Sequence, residues 1–214
     1  MINMKLKWCI PSKGRSDYIK GKTLLLLEKH NIDKKDIYIF VAPDEIETYK
    51  DALPEYQIVK GEKGIGKQRE AISKYFPRNE FIVSIDDDVT DVYEHGKSIT
   101  NLLYLIHDFF NHLIANNMTL AGCNPCSNVF FAKETITTDL KFTCGAFKCF
   151  INKPELERRD YELLEDYEHT LRHYMYSGGI LRFNYITLKV NYNSAKGGLK
   201  GVRTLDKKIY EVKK

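Results

Sequence analysis

Three consecutive carboxylates, Asp86, Asp87 and Asp88, follow directly on the apolar run FIVSI. Side by side they repel one another, so a compensating charge is expected among them. Hard oxygen donors of this kind suit Mg2+ or Mn2+, ions that are commonly shared with substrate phosphates. Asp86 and Asp88, two residues apart, can both reach one ion if the chain turns between them. A solvated acidic loop would have the same composition, so the position carries the weight. In open parallel sheets, ligands bind beyond the carboxyl ends of the strands.

A second candidate is VKGEKGIGKQREAI, residues 59–72. It nearly spells the phosphate-cradling pattern G-x-x-x-x-G-K-[ST], but Gln68 stands where that pattern needs a hydroxyl for Mg2+. It also follows the third apolar run of the chain rather than the first. We therefore read it as a strand-to-helix turn rich in backbone donors and close to a bound diphosphate, not as a triphosphate loop.

Glu165 and Asp166 lie in ERRDYELLEDYEHTLRHYMYSG, which reads as one helix stopped by Gly178 and Gly179. That places them mid-helix, with Glu162, Asp166 and Thr170 on one face. Flanking Arg158, Arg159, His169 and Arg172 also permit plain surface ion pairs. His169 and His173, four apart, could seat a metal; pairing with Glu165 or Asp166 is the preferred reading. Cys123-x2-Cys126 and Cys144-x4-Cys149 approach a four-thiolate zinc pattern. The second spacing is long and would put its thiols on opposite strand faces, so buried free cysteines are expected.

The elements that must position these groups alternate in period. LKWCI, DIYIFVA, YQIVK and EFIVSI read as strands. Between them lie helical stretches: one from Ser16 or Asp17 to Ile32, one opening at Pro43, and GKQREAISKYF. This is the pattern of βαβ units around a parallel sheet. ITNLLYLIHDFFNHLIANN follows, with an apolar stripe at Leu102, Leu103, Leu105, Ile106, Phe109, Phe110, Leu113 and Ile114. Beyond it TLAGCNPCSNVFF, ETITTD, FTCGAFKCFIN and GILRFNYITLKVNYNS are strand-like, giving a mixed second half. We expect one α/β domain over 1–214: a βαβ half to residue 95, a mixed half over 96–188, and a basic segment over 189–214.

The 214 residues are 43% hydrophobic and 29% charged, enough for a real core. No apolar run approaches a bilayer span and no export signal is visible, so a cytoplasmic protein is expected. The net charge of +4 is uneven: eight Lys or Arg against two Asp or Glu fall after residue 188. Such a segment suits a polyanion or a diphosphate.

Read in order, these segments resemble the glycosyltransferase-A fold. In that fold a D-x-D motif closes a Rossmann-like half and holds a sugar nucleotide through a metal. IPSKGR, with Pro11, Ser12, Lys13 and Arg15, resembles its first nucleotide-holding loop; VAPDE, with Asp44, resembles the loop near the base. GIGKQREAI, with Gly66, Lys67 and Arg69, resembles the segment that lies near the diphosphate. ELLEDYEHTLR resembles the segment of inverting members in which an Asp is the base. IPSKGR, GIGKQR and SIDDDV together resemble the TET-associated glycosyltransferases, found largely in bacteriophages and taken to modify 5-hydroxymethylpyrimidines in DNA. The resemblance implies a UDP-sugar donor, Mn2+ or Mg2+ on Asp86 and Asp88, Asp87 beside the donor, and DNA as acceptor. It implies Asp166 as base, with Glu165 next to it. Many members complete the metal site with a C-terminal His. None follows His173 here, which leaves Asn191, Asn193 or water. Lys196, Lys200 and Arg203 would form a closing lid. Rival readings are a glycosyltransferase for carbohydrate or protein, a nucleotidyltransferase of similar fold, and a silent DNA-binding module.

Overall fold

The computed structural model describes residues 4–126, 128, 132–190 and 205–213. Four strands, β1 (Leu6–Pro11), β2 (Ile37–Val41), β3 (Gln57–Lys60) and β4 (Phe81–Ile85), pair in parallel in the order β3-β2-β1-β4. Their near-continuous apolar sequences suit strands covered on both faces. The helices α1 (Thr23–Lys29), α2 (Ile46–Ala52) and α3 (Ile65–Tyr75) connect them. The sheet runs on without a break through the second half. β9 (Phe147–Ile151) lies antiparallel between β4 and β7 (Leu120–Cys123), and β10 (Leu181–Phe183) and β8 (Ile136–Thr137) complete eight strands.

Two apolar layers cover the sheet. α4 (Leu102–Ala115) buries Leu102, Leu105, Ile106, Phe109, Phe110 and Leu113, and Phe109 stacks on Phe183 at 3.8 Å. Leu103 and Ile114, expected in the same stripe, are exposed, because the contact face is narrower than the apolar run. The other layer joins Phe40, Ile72, Phe76, Ile82 and Phe150 around α3.

Three boundaries differ from expectation. The first helix begins at Thr23, because Lys22 takes φ −129°, ψ −109° and breaks the turn that precedes it. The acidic stretch after β4 returns as a hairpin, β5 (Val89–Glu94) and β6 (Lys97–Ser98), which joins β11 (Ile186–Val190) in a small second sheet. Most consequentially, α5 spans only Glu165–Ser177. Residues 157–164 stay irregular because Glu157 and Arg159 turn inward and are buried. Glu211 of α6 (Leu205–Lys213) accepts the Glu162, Leu163 and Leu164 N–H groups. Glu165 and Asp166 therefore open the helix instead of sitting in its middle.

Thr23 pins the turn that carries the carboxylates. Its buried hydroxyl donates to Asp86 O at 2.6 Å and accepts from Val89 N at 3.1 Å. Thr23→Val keeps the shape but leaves both backbone groups without a partner. It is expected to cost about 2 kcal/mol, read as a lower denaturant midpoint at unchanged slope.

Candidate functional site

The carboxylates stand where the parallel strands end. Asp86 N donates to Ala146 O at 2.9 Å, which ties the first of them to the approach of β9. Asp87 is buried and both its oxygens are engaged. Ser12 Oγ donates to Oδ2 at 2.6 Å and Arg15 Nη1 to Oδ1 at 2.7 Å. Arg15 reaches Asp88 Oδ2 only at 3.4 Å. Tyr49 Oη meets Ser12 Oγ at 2.7 Å and accepts from Arg15 N at 3.0 Å, so α2 braces the loop after β1. Pro11 ends β1, Lys13 is exposed, and Asp44 is an exposed partner of Lys63. Asp87 thus orients Ser12 and Arg15 and offers no free oxygen outward.

Burial, then the neighbouring Asp86 and Asp87, push the Asp88 carboxyl up to about 7. Asp86 Oδ1 takes Arg69; Asp86 Oδ2 and Asp88 Oδ1 have no protein partner among the described residues. Two hard oxygens with surplus negative charge between them fit a divalent cation of the Mg2+ or Mn2+ type.

Arg69 links this corner to α5. The buried guanidinium donates from Nη2 to Asp86 Oδ1 at 2.7 Å, from Nη1 to Ser84 Oγ at 3.0 Å and from Nε to Glu165 Oε1 at 2.8 Å. Burial alone would depress its pKa; Glu165 and Asp86 raise it instead. Glu165 is equally committed. Its second oxygen faces Arg159 Nε at 3.4 Å and Lys148 Nζ at 4.0 Å. Burial works against its charge, but Arg69, Lys148 and Arg159 hold the carboxyl below the usual range. Gly145 makes room for the pair: a Cβ there would lie 2.9 Å from Arg69 Nη2 and 3.0 Å from Glu165 Oε1.

Asp166 behaves in the opposite way. Burial and the adjacent Glu165 raise its carboxyl above the usual range. The Cys144 thiol is raised mainly by burial, with smaller contributions from Asp86 and Asp166. Asp166 is half-buried and adjoins Glu165, which Arg69 ties to Asp86.

The glycine-rich turn differs from expectation. Gln68 folds back and accepts from Glu62 N at 2.6 Å, and a Cβ on Gly61 would collide with it at 1.9 Å. Gly64, at φ +94°, caps α3, whose Ile65 N donates to Glu162 Oε1 at 3.0 Å. Protein carboxylate and amide oxygens thus occupy donors expected to meet a diphosphate. Lys67 pairs with Glu70 at 2.8 Å. With Gly66 it lines a cleft of about 210 Å³ against Arg159, Glu162, Tyr210 and Glu211, not the Asp86–Asp88 corner. Of the residues read from this motif, only Arg69 reaches a carboxylate of the triplet.

His169 and His173 pair with Glu157, not with Glu165 or Asp166. Their Nε2 atoms lie 3.0 and 2.8 Å from Glu157 Oε1, while Lys148 Nζ and Thr119 Oγ1 meet the opposite ring nitrogens. Burial first, and nearby Arg159 and Lys148 also, keep both rings neutral despite Glu157. These three residues are the one group of three or more His, Cys, Asp or Glu with ligand-like spacing among the described residues. The surrounding Lys and Arg, and the Lys donor on His169, fit a hydrogen-bonded brace better than a cation. Cys9, Cys123 and Cys149 are buried free thiols; Cys126 and Cys144 are partly exposed ones. Sequence reasoning missed Lys148, Glu157 and Glu211, whose partners come from elements far apart in the chain. Asn191, Asn193, Lys196, Lys200 and Arg203 lie outside the described residues.

With this geometry in hand, known proteins give a consistent likeness. The TET-associated glycosyltransferase family model matches residues 6–198. No curated protein shows a significant match. Among solved structures, S. aureus TarS (residues 1–349) superposes with a TM-score of 0.50 at 16% identity, over 84% of this chain and 58% of that one. A mannosyltransferase from Pyrobaculum calidifontis, in complex with GDP-Man and Mn2+, gives 0.54 at 13% identity, over 82% and 53%. The shared fold is glycosyltransferase-A, and this chain spans little more than half the length of either structure. No helix among the described residues is long and apolar enough to cross a membrane.

Asp88 yields a test that needs no substrate. Its folded pKa lies above the unfolded one, so its contribution to stability is fullest below about pH 4 and is lost as pH rises toward 7. In chelator, Asp88→Asn should raise the melting temperature at pH 8 by a few degrees and change it little at pH 4. Mn2+ is expected to stabilise the wild type and not this variant.

Proposed function

Because the chain belongs to the TET-associated glycosyltransferases, we propose that it moves a sugar from a UDP-sugar to the hydroxymethyl group of a 5-hydroxymethylpyrimidine in DNA, most readily 5-hydroxymethylcytosine. One observation carries this reading: Arg69 holds Asp86 at 2.7 Å and Glu165 at 2.8 Å, which ties the carboxylate triplet to the start of α5, where Asp166 follows Glu165. A donor diphosphate on one side and an acceptor hydroxyl on the other need that arrangement of groups.

In this reading Asp86 and Asp88 hold the cation through the oxygens that protein donors leave free. Bound there, Mn2+ or Mg2+ would neutralise the charge that grows on the departing diphosphate. Ser12 and Arg15, oriented by Asp87 and Tyr49, meet the nucleotide at the end of β1, with Pro11 and Lys13 in the same loop. Asp166 takes the proton from the acceptor hydroxyl. A carboxylate with a raised pKa is a better proton acceptor, and one that approaches opposite the leaving group gives a single displacement with inversion. Glu165 is a poor alternative. Protonating it would remove one of the two carboxylates that pair with the buried Arg69, a change that is unfavourable. We assign Glu165 to positioning and Asp166 to proton transfer. Lys196 and Lys200 remain proposed contacts to the diphosphate.

The test incubates the protein with hydroxymethylcytosine DNA, Mn2+ and a panel of UDP-sugars, read by nucleoside mass spectrometry. A mass increase of one sugar on the modified base is expected. Asp166→Asn should lower the rate by roughly 100- to 10,000-fold while UDP with Mn2+ still raises the melting temperature. Full activity in that variant would remove Asp166 as base. No melting shift with UDP and Mn2+ in the wild type would remove the donor site.

A further inference from the structure

Tyr167 follows Asp166 directly, and its ring lies on that of Phe142, with centroids 4.2 Å apart and planes inclined by 26°. Tyr167 is 53% exposed and Phe142 is partly buried beneath it, so the pair shows an aromatic face to solvent. The segment below is pinned. Thr143 Oγ1 meets Thr170 Oγ1 at 2.9 Å, and Arg182 Nη1 donates to Phe142 O at 3.5 Å. Three residues further on, Gly145 backs onto Arg69 and Glu165, and Ala146 O receives Asp86 N. A single short stretch, 142–146, therefore runs from the aromatic pair to the first carboxylate. Leu171 and Met175 continue the apolar strip along α5.

Charge restricts what can lie there. In the first turn of α5, Glu165 and Glu168 are paired with Arg69, Arg159 and Arg172, and Asp166 is itself an acid, so these residues offer a phosphate no free cation. The occupant of the rings is then uncharged, with a face to stack. Pyrimidine rings stack on exposed aromatic side chains in this way irrespective of sequence. Phe142 supports the half-exposed Tyr167 ring from below.

We propose that Tyr167, supported by Phe142, is the acceptor subsite on which the pyrimidine bearing the acceptor hydroxyl stacks beside Asp166. The proposal rests on the DNA-acceptor reading above. Inside a duplex both faces of a base are already covered by its neighbours, so the base must leave the stack to use this platform. Single-stranded DNA, which is spared that cost, should bind better than duplex.

The test is the fluorescence anisotropy of a short labelled single strand with one central 5-hydroxymethylcytosine, in the presence of Mn2+ and UDP. Tyr167→Ala is expected to weaken binding about ten-fold, and Tyr167→Phe, which keeps the ring, to bind as the wild type does. Tyr104→Ala, at an exposed tyrosine on α4, controls for general loss of aromatic surface and should change nothing. An abasic residue in place of the modified base should cost the wild type the same factor and cost Tyr167→Ala nothing more. If the wild type binds the strand and Tyr167→Ala binds equally well, the subsite is wrong while the DNA reading stands. A wild type that binds no strand overturns both. Equal losses in Tyr167→Ala and Tyr104→Ala also overturn the subsite.

Discussion

The site depends on one buried guanidinium. Arg69 comes from α3, Asp86 from the end of β4 and Glu165 from the start of α5, and the three meet at 2.7 and 2.8 Å. Arginine is the residue for this task because its planar fork offers several donors in fixed directions and it stays charged. A buried arginine with one partner removed is costly, so the two carboxylates cannot move apart freely. That constraint holds the Asp86–Asp88 corner and the start of α5 at one separation. A reaction between a donor on one side and an acceptor on the other needs that separation to be fixed.

Around this link the buried charges balance. Arg69, Lys148 and Arg159 face Asp86, Glu165 and Glu157, with His169 and His173 neutral between them. Lys148, on β9 opposite Ser84, has its pKa lowered to about 8 by burial, which Glu165 opposes. The balance sets the two adjacent carboxylates apart. Glu165 is locked in its charged form by cations. Asp166, one residue on, lies outside that lock and has a raised pKa. Two acidic residues with opposite shifts in one site are the usual mark of different roles.

Much of this was legible in the sequence. The alternation of apolar runs with helical stretches placed β1 to β4 and α2 to α4 well, because each is set by its own periodicity. The carboxylate triplet could be read because it ends a buried strand. The start of α5 could not be read. ERRDYELLEDYEH is a good helix former locally, but burial of Glu157 and Arg159 and the Glu211 cap override that preference. Gln68 was recognised as the residue that rules out a triphosphate loop. Its actual work, closing its own turn onto Glu62 N, depends on a fold-back that spacing does not reveal. Lys148 looked like any strand lysine; only the pairing of β9 with β4 brings it inside.

In the proposed reading, Glu165 acts on the cation held by Asp86 and Asp88 only through Arg69. Calorimetric titration of Mn2+ in the presence of UDP tests it most directly, on Glu165→Gln protein shown by melting to be folded. The account predicts Mn2+ affinity several-fold below the wild type, since Arg69 would be drawn more fully onto Asp86 and compete with the ion. Wild-type affinity in folded Glu165→Gln would contradict it.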